Sequence, residues 1–227
     1  QIDRSLYKKY MLEKLVNYCN LSIFSDSVKG FVFTKNSING ILTSSGKEIH
    51  SNKVILTTGT FLNGMIHIGD KRTPAGRYNE KPTIGLSEQL QKYNFKIGRL
   101  KTGTPPRLDG KTINYTNLEE QHPDDEISFF SFLTKKNINK QISCGITYTN
   151  EKVHELISKN IKQSAMYSGS IKGVGPRYCP SIEDKIYKFK DRTRHQIFLE
   201  PEGLADNTVY PNGISTSLPA DLQQEIC

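Results

Sequence analysis

Short apolar runs separated by glycine-containing turn signals constrain the fold of this chain most strongly. The turn signal Asn39-Gly40 lies between two such runs, and a second signal, Ser45-Gly46, leads to the apolar run 53–58. These pairs favour tight turns because glycine adopts positive φ without strain. The pattern predicts a small β-meander followed by a strand that ends abruptly at Gly59.

The segment that follows this strand has two interpretations. A β-meander and a strand ending in glycine are typical of flavoproteins with two dinucleotide-binding domains, where glycine lets the backbone approach the cofactor. The alternative is an ordinary turn after a strand. Gly59 is therefore a candidate cofactor contact, and the residues alone leave both interpretations open.

Three further segments have the signals of helices. Asp3 is placed to cap a helix that runs to about residue 18, and a second helix is predicted over 86–93. Asn150 is placed to cap a third helix, whose apolar residues share one face. Segments 141–148 and 195–199 are predicted strands, and the mixture indicates an α/β fold with two cores.

The run 102–107, Thr-Gly-Thr-Pro-Pro-Arg, is rigid and predicts a domain boundary, which gives domains 1–103 and 104–227. Arg99, Lys101 and Arg107 bracket this run, so it is also a candidate site for a phosphate or carboxylate. The two interpretations are compatible with each other.

The net charge of +8 is unevenly distributed along the chain. Residues 1–103 hold 16 basic and 7 acidic residues, whereas 104–227 hold 15 and 16. Such an excess favours polyanions such as RNA, although scattered lysines also occur on an ordinary solvated surface.

The four cysteines, at positions 19, 144, 179 and 227, have no C-x-x-C spacing, so neither a metal site nor a disulfide framework is expected. No apolar run reaches the roughly 20 residues of a membrane span. A reducing compartment, the cytoplasm or an organellar matrix, fits these features.

Cys179 is the leading candidate for chemistry. It lies in a glycine- and proline-framed segment, two residues after Arg177 and six before Lys185. Neighbouring cations lower the pKa of a thiol and so favour the nucleophilic thiolate. The alternative, a small buried side chain, suits Cys19 and Cys144 better. His195 is a further candidate acid or base, and His67 is expected to be half-buried and hydrogen-bonded.

Several runs together resemble one family, the tRNA uridine 5-carboxymethylaminomethyl modification enzymes called MnmG or GidA. The similarity extends over nearly the whole chain. Its most specific runs are 58–64, 67–69, 98–107, 166–169, the Cys179 segment, 195–203 and 210–219.

The resemblance implies part of a two-dinucleotide-binding-type FAD domain, a β-meander plus a strand, followed by an inserted α/β domain. It implies an enzyme that adds an aminomethyl-type group to carbon 5 of wobble uridine in tRNA. FAD, NADH and methylenetetrahydrofolate would be its cofactors. The GTPase MnmE would be its partner, in a heterotetramer that contains a homodimer.

The resemblance also assigns residues. The essential cysteine of the family motif falls on Cys179. The residues agree with this assignment, since Arg177 and Lys185 can supply cations that stabilise developing charge. The flavin contacts fall on the first specific run, at Gly59, Thr60, Phe61 and Gly64.

Two features limit the resemblance. Residues 74–77 lack a second glycine that many members have, which weakens any cofactor contact inferred there. The chain begins at Gln1 and ends at Cys227 without the glycine-rich dinucleotide motif of the family, so we expect a segment of a longer protein that binds FAD poorly by itself.

Three alternatives remain open at this point. The first is a folate- and FAD-dependent tRNA uracil-5-methyltransferase. The second is a noncatalytic RNA-binding module in which Cys179 only packs. The third is a flavin disulfide reductase, for which the paired cysteines are missing.

Overall fold

The computed structural model describes residues 2–77, 79–101, 103–136, 139–171, 173 and 180–227. These residues form five α-helices and ten strands. The helices are α1 (Arg4–Val16), α2 (Leu86–Lys92), α3 (Glu151–Asn160), α4 (Ile182–Lys188) and α5 (Ala220–Ile226). The strands are β1 (Val28–Thr34), β2 (Ser37–Thr43), β3 (Glu48–His50), β4 (Met65–Ile68), β5 (Lys71–Pro74), β6 (Leu108–Asp109), β7 (Glu119–Gln121), β8 (Cys144–Tyr148), β9 (Gln196–Gly203) and β10 (Asp206–Asn212).

The β-meander is present as the antiparallel sheet β1-β2-β3, but its first turn differs from the prediction. The chain turns between β1 and β2 at residues 35 and 36, whereas Asn39 and Gly40 lie inside β2. Gly40 has a φ of 150°, and a Cβ there would lie 2.2 Å from the carbonyl oxygen of Ile49. This glycine therefore permits close approach of β3, and the predicted turn at Asn39-Gly40 is wrong. The second turn, at Gly46 with φ 87°, is confirmed.

The predicted strand over 53–58 is not formed. None of the described residues pairs with this run in a sheet, and Ile55 is 87% exposed. A strand requires a partner for its backbone N–H and C=O groups, whatever its apolar content. The chain does turn at Gly59, which has a φ of 56°.

The predicted helices are confirmed because their caps are local. The Asp3 carboxylate accepts a hydrogen bond of 2.8 Å from the Leu6 amide at the start of α1. The Asn150 side chain accepts one of 3.0 Å from the Val153 amide at the start of α3. Helix α4 was not predicted, although Ser181 is a regular N-cap that accepts a hydrogen bond from the Asp184 amide.

The largest sheet is antiparallel, with the strand order β6-β10-β9-β8-β7. The predicted strands over 141–148 and 195–199 correspond to β8 and β9. The turn-rich run 210–213 continues β10 as far as residue 212, where Pro211 pairs with Leu199. The mixed α/β class is thereby confirmed, with antiparallel pairing in this sheet.

The buried core lies between this sheet and helices α3, α4 and α5. Ile157 of α3, Ile182 of α4 and Leu218 are completely buried there, and Leu199 of β9 and Leu222 of α5 pack with them. Between residues 2 and 101, Ala75 and Leu86 are the buried apolar residues that the structure describes. Among the described residues there is thus one core cluster, where two cores were expected. None of the helices in the described part of the chain is long and apolar enough for a membrane span.

The close approach at Gly40 gives a first prediction. A Gly40→Ala substitution should destabilise the meander by about 1 kcal/mol or more, because the new Cβ would clash with the Ile49 carbonyl and the φ is unfavourable for alanine. Urea unfolding of wild type and variant measures this loss. Gly98→Ala is the control, since a Cβ there meets no atom within 4 Å. Equal stability of the two variants would contradict the prediction.

Candidate functional site

The candidate catalytic residues are described only in part. Cys179 and Arg177 lie outside the described residues, and Lys185 lies inside α4. The Lys185 ammonium donates a hydrogen bond of 2.8 Å to the carbonyl oxygen of Gly213, at the end of β10. This contact fixes the position of the side chain, whose role in the chemistry remains a prediction.

A pocket of about 590 Å³ opens beside Lys185. Its walls come from the residues on either side of α4, from Lys185 within that helix, from the turn that precedes β9, and from the last residue of β8 and the first residue of β9. Pro180, which directly follows Cys179 in the sequence, lies on the wall. The lining residues are Tyr148, Pro180, Lys185, Phe189, Asp191, Arg192, Thr193, Arg194, His195 and Gln196.

His195 contributes to the pocket wall as part of a stacked histidine pair. Its ring centroid lies 5.2 Å from that of His154 on α3. Thr149 joins the two residues, since its hydroxyl oxygen accepts a hydrogen bond of 2.8 Å from the His195 amide and lies 2.7 Å from Nε2 of His154. Nε2 of His195 is buried and has no hydrogen-bond partner among the described residues.

Both imidazoles have lowered pKa values. Burial is the main cause for His195, followed by repulsion from a protonated His154, Lys185 and Arg192. Burial also lowers the pKa of His154. Because Nε2 of His195 is buried, the geometry favours a positioning role for this residue over the acid or base role left open by the sequence.

Glu183 of α4 is the most deeply placed carboxylate near the pocket, with no exposed surface. Its Oε1 accepts three hydrogen bonds, from the hydroxyls of Ser164 and Thr216 and from the amide of Ser217, at 2.9–3.0 Å. Its Oε2 has no partner among the described residues. This cluster is not among the sites predicted above; its signal in the sequence is the run of small hydroxyl residues at 215–217.

The four candidate flavin contacts occupy different positions in the loop 58–64. Gly59 and Thr60 are exposed at the tip of the loop. Phe61 is half-buried and packs on Gly76, where a Cβ would lie 2.0 Å from its ring. A Cβ on Gly64 would lie 2.3 Å from the carbonyl oxygen of Ala75. Exposed backbone at the tip is compatible with a cofactor contact, whereas Phe61 and Gly64 support the loop.

Arg99 lies between this loop and the start of the Cys179 segment. Its guanidinium donates a hydrogen bond of 3.1 Å to the carbonyl oxygen of Asn63 in the loop. Its own carbonyl oxygen lies 2.7 Å from the position of a Cβ on Gly173. The structure thus brings the loop over 58–64 to the beginning of the segment that contains Cys179.

His67 on β4 is half-buried as expected, but the expected hydrogen bond is missing at one nitrogen. Its Nδ1 is buried without a partner among the described residues. Burial, followed by the charges of Arg72 and Arg99, lowers the pKa of this histidine. Clusters of His, Cys, Asp or Glu able to hold a metal ion are absent from the described part of the chain.

The family is shown by comparison with known proteins. The model of the family described as glucose inhibited division protein A, GIDA, matches residues 1–227. The chain belongs to the GidA family. It is 54% identical over 223 residues to the tRNA uridine 5-carboxymethylaminomethyl modification enzyme MnmG of Thermodesulfovibrio yellowstonii. This alignment covers 98% of this chain and 36% of that protein.

Solved GidA structures have the same fold. Two crystal forms of Aquifex aeolicus GidA match the whole chain with TM-scores of 0.91 and 0.88, at 48% and 44% identity. The match covers 39% and 37% of those chains. The chain therefore spans less than half the length of these relatives. The resemblance to the MnmG or GidA family is confirmed, and so is the fold class expected from it.

The histidine pair gives a prediction on pH. The unfolded chain binds protons at His154 and His195 as the pH falls through about 6.5, whereas the folded chain resists protonation until a lower pH. Stability is therefore highest above this range and declines as the pH falls through it. Urea unfolding at pH 7.5 and pH 5.8 measures the decline.

A His195→Gln variant should show a smaller decline over the same interval, because one of the three lowered histidine pKa values, those of His67, His154 and His195, is removed. His50→Gln is the control, since His50 is exposed. A decline as large in His195→Gln as in wild type would contradict the assignment.

The buried carboxylate gives a third prediction. Glu183→Ala should destabilise the fold by about 3 kcal/mol or more, because three buried donors lose their acceptor. Glu183→Gln keeps an oxygen that can accept these hydrogen bonds and should cost much less. Urea unfolding distinguishes them, and equal losses would mean that the negative charge, instead of the accepting oxygen, is required.

Proposed function

We propose that this chain is part of a flavin-dependent enzyme that modifies carbon 5 of the wobble uridine in tRNA. The observation that carries the proposal is the 54% identity to an MnmG enzyme across 98% of the chain. The contacts of Arg99 support it, because its side chain binds the candidate flavin loop and its backbone carbonyl lies beside Gly173, which precedes Cys179 by six residues.

The chemistry requires an activated uracil ring. The sulfur of a Cys179 thiolate forms a bond to carbon 6, and the electron pair of the ring double bond moves toward carbon 5 and the O4 oxygen. Carbon 5 would then bond to the one-carbon unit as one of the two bonds from that carbon to the folate nitrogens breaks, and the incoming amine would later displace the other. Loss of the carbon 5 proton to a base and departure of the thiolate restore the double bond.

Lys185 suits electrostatic stabilisation of this intermediate. Its ammonium is held by the Gly213 carbonyl and lines the pocket that Pro180 also lines. Negative charge on the uracil oxygen is stabilised by a positioned cation in a partly dehydrated pocket. Arg177 would contribute in the same way from within the Cys179 segment.

FAD would be held against the exposed tip of the loop, at Gly59 and Thr60. Phe61 and Gly64 would stabilise the loop through their contacts with residues 75 and 76. The positive φ of Gly59 and its lack of a side chain leave backbone accessible there. FAD would supply the redox step, with NADH as the source of electrons and methylenetetrahydrofolate as the source of the one-carbon unit.

The remaining features of the proposal come from the family. MnmE would be the partner, and a homodimer would assemble with it in the cytoplasm or an organellar matrix. The boundary between domains 1–103 and 104–227 also remains a proposal.

Substitution of Cys179 tests the proposal. In the complete protein that contains this chain, supplied with tRNA, FAD, NADH, methylenetetrahydrofolate and MnmE, wild type should form modified wobble uridine. Cys179→Ser should lose more than about 100-fold in product formation, because a hydroxyl is a far weaker nucleophile than a thiolate. Nucleoside analysis of the recovered tRNA measures the product.

Cys144→Ser is the matched control. Burial, followed by the charge of Glu200, raises the pKa of Cys144, so its thiol is unsuited to nucleophilic attack and its loss should leave the product unchanged. Flavin content and tRNA affinity are measured on each variant. Unchanged product in Cys179→Ser would remove Cys179 from the chemistry, and absence of product from wild type would overturn the proposed function.

A further inference from the structure

We propose that the pocket beside Lys185 binds one nucleotide of the RNA, next to the uridine that is modified. The inference rests on the proposed function and assigns the substrate contacts of the same site. Three properties of the pocket support it: its charge, its planar side chains and its position beside the Cys179 segment.

The charge of the pocket suits a phosphate group. The residues that line the pocket include three basic side chains, Lys185, Arg192 and Arg194, and one acidic side chain, Asp191, a difference of +2. Arg192 and Arg194 are exposed on the pocket wall, and neither forms an ion pair with any described residue. Lys188, in contrast, is bound to Asp184 at 3.2 Å and does not line the pocket. Arginines without a carboxylate partner are suited to a phosphodiester.

The planar side chains suit a nucleobase. The guanidinium of Arg194 lies 4.3 Å from the centroid of the Tyr148 ring. Phe189, on the same pocket wall, is 54% exposed. Unpaired bases stack on aromatic rings and on arginine planes. A ligand with phosphate alone would use the cations and leave these surfaces in water, whereas a nucleotide uses both.

The position of the pocket ties it to the modified uridine. Pro180 lines the pocket and is the residue directly after Cys179. A uridine that reaches the thiol therefore places a neighbouring nucleotide close to this wall. The pocket volume of about 590 Å³ lies within the range of about 300–1,000 Å³ that small-ligand sites occupy.

A nucleotide can come from RNA or from a free nucleotide such as a dinucleotide cofactor. The residues next to the pocket favour RNA. Aromatic and basic side chains continue to alternate along α4 and the turn after it, where Lys190 lies 5.1 Å from the centroid of the half-exposed Tyr187 ring. Neither residue lines the pocket, so the surface extends beyond one nucleotide, as a polymer requires.

The experiment measures RNA binding separately from modification. The complete protein and its Arg192→Gln, Arg194→Gln and Arg194→Lys variants are titrated with a fluorescent RNA stem-loop that carries the wobble uridine, over a series of salt concentrations. Each Arg→Gln variant should bind about 5- to 50-fold more weakly, with a salt slope lower by about 0.7–0.9 for each phosphate that the protein no longer neutralises. Arg194→Lys should keep the wild-type slope but bind more weakly, because lysine keeps the charge and lacks the plane.

Lys111→Gln is the control, because it removes one positive charge outside the pocket, beside the edge strand β6. It should retain wild-type affinity within about twofold. The substituted arginines are exposed, so urea unfolding midpoints should stay at the wild-type value. Adenosine monophosphate and NADH are titrated in parallel to represent free nucleotides.

Unchanged RNA affinity and salt slope in both Arg→Gln variants would overturn the inference. Weaker binding of adenosine monophosphate or NADH with RNA affinity retained would also overturn it, in favour of a free nucleotide. Product formation by wild type and Cys179→Ser is scored separately. If the pocket does not bind RNA, the RNA affinity of the arginine variants stays unchanged. If the proposed function is wrong, wild type forms no product.

Discussion

One buried oxygen, Oε1 of Glu183, holds together the part of the molecule on which the site depends. It accepts hydrogen bonds from Ser164, Thr216 and Ser217, all of which are buried. A buried carboxylate is costly without such partners, so these donors and the carboxylate require one another. The segment 214–218 is ordered as a result, and it contacts elements that are far apart in sequence. Its Ser217 carbonyl accepts a hydrogen bond of 2.9 Å from the amide of Gly69.

This scaffold positions the pocket as well. The carbonyl of Ser215 accepts a hydrogen bond of 2.8 Å from the amide of Ile182, at the first turn of α4. Helix α4 therefore begins at a fixed place, and the residue before its cap, Pro180, lies on the pocket wall. The Lys185 ammonium is fixed to the end of β10 from the same helix. A buried core network thus fixes the start of the helix that carries Lys185.

The predictions from sequence succeeded where the physical cause is local. Asp3 and Asn150 cap helices through their own first turns, so a single sequence reveals them. The turn predicted at Gly40 was wrong because glycine is needed there for a different reason, the close approach of the Ile49 carbonyl in another strand. The local sequence pattern does not show this contact. The run 53–58 has strand composition, but a strand depends on a partner elsewhere in the fold.

The candidate site was predictable only in the same local sense. The cations around Cys179 were visible in the sequence, whereas the packing of Arg194 on Tyr148 joins residues 46 positions apart and depends on the fold. Burial and neighbouring cations lower the pKa of His195, and Lys185 is bound in part to a backbone carbonyl. Arg192 and Arg194 form no ion pair with any described residue, so they present their positive charge to the pocket.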